Sequence, residues 1–112
     1  MVTVPDIAWA AGFLEGEGSF GRTRTCVHVE ATQVNREPLD RLQNLFGGTV
    51  RTFRREAVKG TVYHRWDYYG QKAVGLMMTV FFLMSQKRKD KIIVALSAWK
   101  TSPGKGNYIR KH

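Results

Sequence analysis

The sequence has little acid, and this shortage narrows the choice of partner. Nine Asp and Glu residues stand against eighteen Lys and Arg, which gives a formal net charge of +9 at pH 7. A small domain this basic favours a polyanionic partner, of which nucleic acid is the first candidate. A membrane surface fits less well, because no long basic amphipathic helix is present. A ribosomal type of structural protein is the alternative that composition leaves open.

Cysteine and long apolar runs are also scarce. The one cysteine, Cys26, can form neither an internal disulfide nor a zinc site, and we expect a small buried side chain in a reducing compartment. The longest apolar run, residues 74–84, is too short to span a bilayer, and the N-terminus lacks the basic region of a signal peptide. We expect a soluble intracellular protein of the cytoplasm, nucleoid or an organelle, neither secreted nor membrane-bound.

The length allows one domain with a real core. The chain has 112 residues, of which 43% are hydrophobic, too few for two cores. We assign residues 1–100 to this domain. Residues 101–112 contain a Pro-Gly-Lys-Gly break, and we expect them to form a basic, flexible tail.

The stretch from Ile7 to Phe20 is the most unusual part of the chain. It is an apolar run at helical spacing that ends on two carboxylates, Glu15 and Glu17, set among glycines. Acidic side chains at the C-terminal end of a helix oppose its macrodipole, so these two are expected to serve another purpose. Residues two apart do not share a helix face, so only one of them can point beyond the helix end.

The same run predicts a helix–helix contact. Projected at 3.6 residues per turn, one stripe consists of Ala8, Ala11, Gly12 and Glu15. Small residues at this spacing let a second backbone approach closely. We therefore predict that these four residues form an interface with another helix.

The remaining patterns predict an α+β domain of order αββαββαα. Alternating stretches at 19–25 and 26–33 form a first hairpin, and 49–55 and 61–69 form a second. Helices are predicted from residue 5 to 16, after Asn35, at 71–84 and at 87–100. The two hairpins can join into a four-stranded antiparallel sheet covered by helices on one face.

The uncovered face of that sheet is the predicted DNA-binding surface, because a sheet ridge is a shape that the major groove admits. Its candidate contacts are Arg22, Thr23, Arg24, His28, Glu30, Thr32, Arg51, Arg54 and Arg65. Glu30 can accept from cytosine, and Arg51 and Arg65 can fork onto guanine. The pattern does not determine which way the side chains of the first strand point. If Phe20 points into the core, Arg22 points the same way unless Gly21 starts a bulge or the strand end overhangs the core.

Ala10 to Gly18, Ala-Ala-Gly-Phe-Leu-Glu-Gly-Glu-Gly, resembles the nonapeptide of the LAGLIDADG homing endonucleases, and Ser19-Phe20 continues the likeness. The departures are Ala10 for the first leucine and Glu for Asp at both acidic positions. The resemblance implies two motif helices packed side by side. Since the chain has one copy of the motif, it also implies a homodimer, with Ala8, Ala11, Gly12 and Glu15 at the dimer interface.

The resemblance assigns roles to several residues. It implies that Glu17, beside the carbonyl of Gly16, binds a catalytic Mg²⁺, for which Mn²⁺ or Ca²⁺ could substitute in binding. It places a water-ordering side chain at Gln33 and an active-site lysine at Lys87, with Lys89 as the rival. The implied function is metal-dependent cleavage of both strands of a long, nearly palindromic DNA duplex. A non-catalytic binder of the same fold, an intron RNA maturase or a DNA-binding regulator, is the alternative.

Overall fold

The computed structural model describes residues 1–23, 26–55 and 60–101, with side chains to residue 97. The predicted DNA contact Arg24 and the predicted tail beyond residue 101 lie outside the described residues. The elements in chain order are α1 Val4–Glu17, β1 Gly18–Arg22, β2 Val27–Gln33, α2 Glu37–Phe46, β3 Thr49–Arg55, β4 Thr61–Tyr69, α3 Gly70–Val80, a 3-10 turn Phe81–Leu83 and α4 Gln86–Thr101. The predicted order αββαββαα is confirmed.

Helix α1 begins at a capping box. The backbone N–H of Asp6 donates to the Thr3 hydroxyl, and the Asp6 carboxylate accepts from the Thr3 backbone N–H at 2.9 Å. This reciprocal pair satisfies N–H groups that the first helical turn leaves free. The helix then buries Ala10 and Leu14 fully in the core.

The sheet is antiparallel, with strand order β1-β2-β4-β3. Each hairpin pairs internally, and β2 pairs with β4 to join them. On β2, Val27, Val29 and Ala31 are buried while the residues between them are not. The alternation predicted for β2 is therefore confirmed, and the helices cover one face of the sheet.

Two glycines end α2 and let the chain turn into β3. Gly47 and Gly48 have φ of +97° and +93°, a region that other residues rarely adopt. The Trp66 indole N–H donates to the carbonyl of Gly47 at 2.8 Å, and the Tyr68 hydroxyl donates to the carbonyl of Phe46 at 2.9 Å. These bonds satisfy carbonyls that the helix end leaves free and fix α2 on β4.

The structure shows which way the side chains of β1 point. Phe20 is buried, and Arg22 lies directly opposite the buried Val27 in a register without a bulge. Arg22 is therefore on the helix-covered side, but it is exposed because the strand end overhangs the core. Cys26 precedes β2 and is only partly buried, so the prediction that it is a buried strand residue is wrong.

Two helix ends differ from the prediction. The third helix is α-helical only to Val80 and then tightens into the 3-10 turn, which closes with a bond from the Met84 N–H to the Phe81 carbonyl at 3.1 Å. At α2 the cap residue is Arg36, although the Asn35 side chain still accepts from the Glu37 N–H at 3.1 Å. Within the described ranges, no helix is both long and apolar enough to cross a bilayer.

Candidate nucleic-acid interface and metal centre

The two carboxylates at the end of α1 diverge, as their spacing predicts. Glu15 turns back to α4: its Oε1 accepts from the Ser85 N–H at 2.8 Å, and its carbonyl accepts from Arg88 Nε at 3.0 Å. The bonds from Ser85, and then the charges of Arg88 and Lys87, hold the pKa of Glu15 below its usual range against the opposing effect of burial. These contacts fix the end of α1 against the start of α4.

Glu17, the last residue of α1, points into solvent. It is exposed, as is Gly16, and among the described residues no side-chain hydrogen bond or ion pair involves Glu17. The next residue, Gly18, packs so closely that a Cβ there would lie 2.8 Å from the Leu14 carbonyl oxygen, so the chain turns sharply beneath it. The acidic pair is thus split between a structural role for Glu15 and a free carboxylate at Glu17.

The surroundings of Glu17 fit a divalent cation. A carboxylate and the free carbonyls of the last helical turn are hard oxygen donors of the kind that Mg²⁺ prefers. The C-terminal end of a helix carries partial negative charge, which also attracts a cation. No arginine or lysine among the described residues neutralises this carboxylate.

Gln33 lies at the same end of the sheet. Because Gly18 pairs with Ala31, continuing that register past the start of β1 brings the end of β2 level with the end of α1. Gln33 is the last residue of β2 and is half-buried. Gln33, the predicted water-ordering residue, therefore lies at the same end of the strands as Glu17.

The two candidate lysines differ in what they contact. Lys89 is half-buried, with its ammonium 5.7 Å and 5.9 Å from the ring centres of Phe81 and Phe82. Lys87 is exposed in the first turn of α4, and its charge acts on Glu15 at the end of α1. Lys87 is the lysine whose side chain is left available beside the acidic helix end.

The predicted interface stripe on α1 needs a correction. Ala11 is 3% exposed and packs in the chain's own core, so its assignment to the interface with a second subunit is wrong. Glu15 is half-buried and engaged by α4, as described above. Ala8 and Gly12 are exposed, and with Val4 and Gly16 they form a ridge at four-residue spacing along the outer face.

On the open sheet face, a buried aspartate binds two arginines. Asp67 is 2% exposed, and its Oδ2 accepts from Arg51 Nη2 and Arg65 Nε, both at 3.1 Å. Burial alone would lower the pKa of Arg65, but the bond and charge of Asp67 outweigh it and raise that pKa. Both guanidinium groups are thereby fixed on the face predicted to contact DNA.

His28 and Glu30 lie beside this aspartate on β2. His28 Nε2 is 2.8 Å from Glu30 Oε1, and the imidazole stacks on Tyr69 with ring centres 5.1 Å apart. One ligating atom each from His28, Glu30 and Asp67 falls within 4.8 Å of the others, a spacing that could hold a metal ion. The two arginines bound to Asp67 disfavour a metal ion here, because they already neutralise the negative charge of the Asp67 carboxylate.

The predicted DNA contacts fall on both sides of the sheet. Alternation along the paired strands puts five of them on the open face: His28, Glu30, Thr32, Arg51 and Arg65. Arg22 and Arg54 lie on the opposite, helix-covered side of the sheet, where both are exposed. Thr23 closes the first turn, with its N–H donating to the Cys26 carbonyl at 2.8 Å.

The sequence reading missed Asp67 and an aromatic pair on the open face. Phe53 and Tyr63 face each other across β3 and β4 and stack with ring centres 5.3 Å apart. Strand alternation from Arg65 would have placed Asp67 on the open face. Its partner Arg51 is 16 positions away on another strand, so that contact requires the register.

Solved structures similar to this fold are homing endonucleases with DNA. I-CvuI, in complex with its target in the presence of 2 mM Ca, has a TM-score of 0.70 and 19% identity, over 92% of this chain and 71% of that one. The group I intron-encoded I-CeuI, complexed with DNA, has a TM-score of 0.71 and 15% identity, over 99% and 60%. The archaeal intron-encoded I-Vdi141I, also complexed with DNA, has a TM-score of 0.59 and 19% identity, over 79% and 63%.

These likenesses establish the fold: a four-stranded antiparallel sheet with four helices, as in the LAGLIDADG homing endonucleases. A second I-CvuI structure, with the I-CreI target and 2 mM Mg, has uncleaved DNA and a TM-score of 0.67. No protein-family model matches the chain, and no curated protein sequence does.

Proposed function

We propose that the protein is a site-specific DNA endonuclease that acts as a homodimer and uses Mg²⁺ held by Glu17. The observation that carries this is the exposed Glu17 carboxylate, which has no hydrogen-bond or ion-pair partner in the described part of the chain. It lies at the end of a helix whose outer ridge includes Ala8, Gly12 and Gly16. The fold, shared with DNA-bound homing endonucleases, supports the same conclusion.

The open sheet face supports DNA binding. Arginines and polar side chains project from its strands, and Asp67 fixes the guanidinium groups of Arg51 and Arg65 before any ligand arrives. Arginine can form two hydrogen bonds with the O6 and N7 of guanine, and a held side chain loses less entropy on binding. A nine-residue strand such as β4 spans about 30 Å at about 3.3 Å per residue, which is close to nine base steps at about 3.4 Å.

The ridge on α1 supports the homodimer. A glycine at an exposed mid-helix position lowers stability by about 1 kcal/mol relative to alanine. No neighbour within the described chain demands it at Gly12, where a Cβ would meet nothing within 4 Å. A second α1 packing against Ala8 and Gly12 explains why small residues stand there, and it brings a second Glu17 close to the first.

The chain's own residues would then divide the reaction between them. Mg²⁺ supplies Lewis-acid activation of water and neutralises charge on the phosphoryl oxygens. Glu17 of each subunit holds the cation as a hard oxygen donor. Gln33 orients the attacking water by hydrogen bonding, and Lys87 offers a positive charge to the phosphate on the side where α4 begins.

The test is cleavage of a duplex library that includes the DNA flanking the protein's own gene. With Mg²⁺ the wild-type protein should cut both strands of a nearly palindromic site of about 16–20 base pairs. Glu17→Gln should abolish cutting and leave gel-shift binding in Ca²⁺ within about threefold, because it removes one charge away from the sheet face. Glu37→Gln, an exposed carboxylate on α2, is the matched control and should cut normally. Normal cutting by Glu17→Gln would overturn the assignment.

The alternative is a non-catalytic binder of the same fold, an RNA maturase or a DNA-binding regulator. The observation in its favour is that glutamate stands at both acidic positions of the motif, where the longer side chain moves the carboxylate by about one bond, roughly 1.5 Å. Gel shifts on duplex DNA and structured RNA, with and without Mg²⁺, separate the two. Tight RNA binding without cleavage of any duplex favours the binder.

A further inference from the structure

The open sheet face carries an apolar site between its arginines. Phe53 on β3 and Tyr63 on β4 are directly paired and stack with an interplanar angle of 20°. Alternation from Arg51 and Arg65 puts both rings on the open side, away from the helices. Neither ring contributes to the buried core.

Guanidinium groups border this pair on several sides. Arg65 and Arg51 lie 4.9 Å and 5.7 Å from the centre of the Phe53 ring, and Arg55 lies 5.2 Å from that of Tyr63. Such contacts hold both the cation and the ring in place. Since Asp67 also fixes two of these arginines, the rings have a defined position relative to the groups that can bind guanine.

The chemistry of the major groove offers one partner for an apolar surface. The base edges there present hydrogen-bond donors and acceptors, and thymine adds an apolar methyl group on C5. The same methyl is carried by 5-methylcytosine. An aromatic pair pressed into the groove gains from covering that methyl and gains little from a polar edge.

We propose that Phe53 and Tyr63 form a subsite that recognises the C5-methyl group of a pyrimidine in the DNA target. The subsite also has an expected position. Phe53 is two residues from Arg51 on the same face, which is about 6.6 Å at about 3.3 Å per residue. That distance corresponds to two base steps of about 3.4 Å, so the methylated pyrimidine lies about two steps from the guanine that Arg51 contacts.

This inference rests on the proposed function, and it is tested with the wild-type protein first. Duplexes selected from a randomised library are resynthesised with deoxyuridine in place of thymidine, one position at a time. At the position that the subsite reads, loss of the methyl should weaken binding about fourfold per half-site, and about fifteenfold when both half-sites are changed. A second arm compares cytosine with 5-methylcytosine at that position.

The two arms assign the source of the methyl. A loss in the uridine arm supports thymine, and a gain only in the methylcytosine arm supports the methylated cytosine. If neither replacement changes the affinity at any position, the subsite does not exist. Cleavage with Mg²⁺ would still be measured separately, so failure of this inference is distinguishable from failure of the proposed nuclease.

A pair of variants connects the effect to the rings. Phe53→Ser should bind the thymidine and uridine duplexes equally, because the apolar surface is removed. Phe82→Ser is the matched control, since Phe82 is an exposed phenylalanine on the 3-10 turn, 82% accessible, and it should keep the full discrimination. If Phe53→Ser still prefers thymidine, other residues read the methyl.

Discussion

Replacing Asp67 with asparagine should loosen the open sheet face by removing the charge that holds two arginines. The carboxylate is 2% exposed, whereas the side chains of Arg51 and Arg65 are 51% and 31% exposed. A hydrogen bond to a charged group contributes about 1.5–3 kcal/mol. Because both guanidinium groups can turn to solvent when released, each contact contributes toward or below the lower end of that range.

Two further features set the net effect. Asparagine keeps one oxygen that can accept from an arginine, so part of the bonding survives. Asp67 Oδ1 is buried without a hydrogen-bond partner among the described residues, and an unsatisfied buried polar atom costs about 1–3 kcal/mol. The amide nitrogen of asparagine in the same place would also lack a partner, so the substitution leaves this cost unchanged. We expect Asp67→Asn to lower the free energy of unfolding by about 1–3 kcal/mol, and Tm by about 4–13 °C for a domain of this size.

Thermal unfolding followed by circular dichroism, at about 0.15 M and about 1 M NaCl, measures this. The matched control is Asp40→Asn, whose carboxylate pairs with Arg36 at 2.9 Å on the surface, with both side chains 45% exposed. That pair should contribute about 0.5 kcal/mol or less, and salt should remove the effect. The loss at Asp67 should persist in high salt because the carboxylate is buried. Equal Tm values for wild type and Asp67→Asn would refute the reasoning.

Three further predictions address the turn, the helix end and the subunit contact. Gly48→Ala should lower the free energy of unfolding, measured by denaturant titration, by about 2–4 kcal/mol, because the φ of Gly48 is +93° and a Cβ would lie 2.7 Å from the Asp67 carbonyl oxygen. The control Gly60→Ala, at φ +79° with open space around a Cβ, should lose only about 1–2 kcal/mol in the same titration. Hydrogen bonding holds the pKa of Glu15 below its usual 4.5, so Glu15 stabilises the fold above that pH and loses this effect as the pH falls through its lower folded-state pKa. In thermal melts taken at decreasing pH, Glu15→Gln should therefore lose less stability than wild type, and an unchanged pH profile would contradict the assignment. Gly12→Leu should raise the stability of the single chain by up to about 1 kcal/mol. It should also convert the proposed dimer to monomer in sedimentation equilibrium, and a dimer that persists in the variant would show that α1 is not the contact.

The elements could be predicted because their patterns are local. The alternation of Val27, Val29 and Ala31 with polar residues defines both faces of β2 without any knowledge of the rest of the chain. The divergence of Glu15 and Glu17 follows from helical geometry alone. What local patterns could not give is the inner side of α1: a helix that is apolar all round offers several candidate stripes, and packing with the sheet and α3 decided that Ala11 is buried.

The contacts of the candidate site depend on distant residues. Glu15 bonds to Ser85, 70 positions later, and Asp67 bonds to Arg51 across two strands. The second contact depends on the register of the β3–β4 hairpin, which the alternation along each strand does not specify by itself. The different surroundings of Lys87 and Lys89 have the same origin, since only the folded structure shows Lys89 against the rings of Phe81 and Phe82.

Strand β3 lies at the outer edge of the sheet, where unpaired backbone groups could join the edge of another molecule. Its exposed Arg51, Arg54 and Arg55 would be brought side by side with those of a second copy, and this repulsion opposes edge-to-edge aggregation. The arginines of β3 therefore limit how freely the proposed DNA-binding face can be redesigned. Variants that exchange several of these arginines for apolar residues risk precipitation before their binding can be measured.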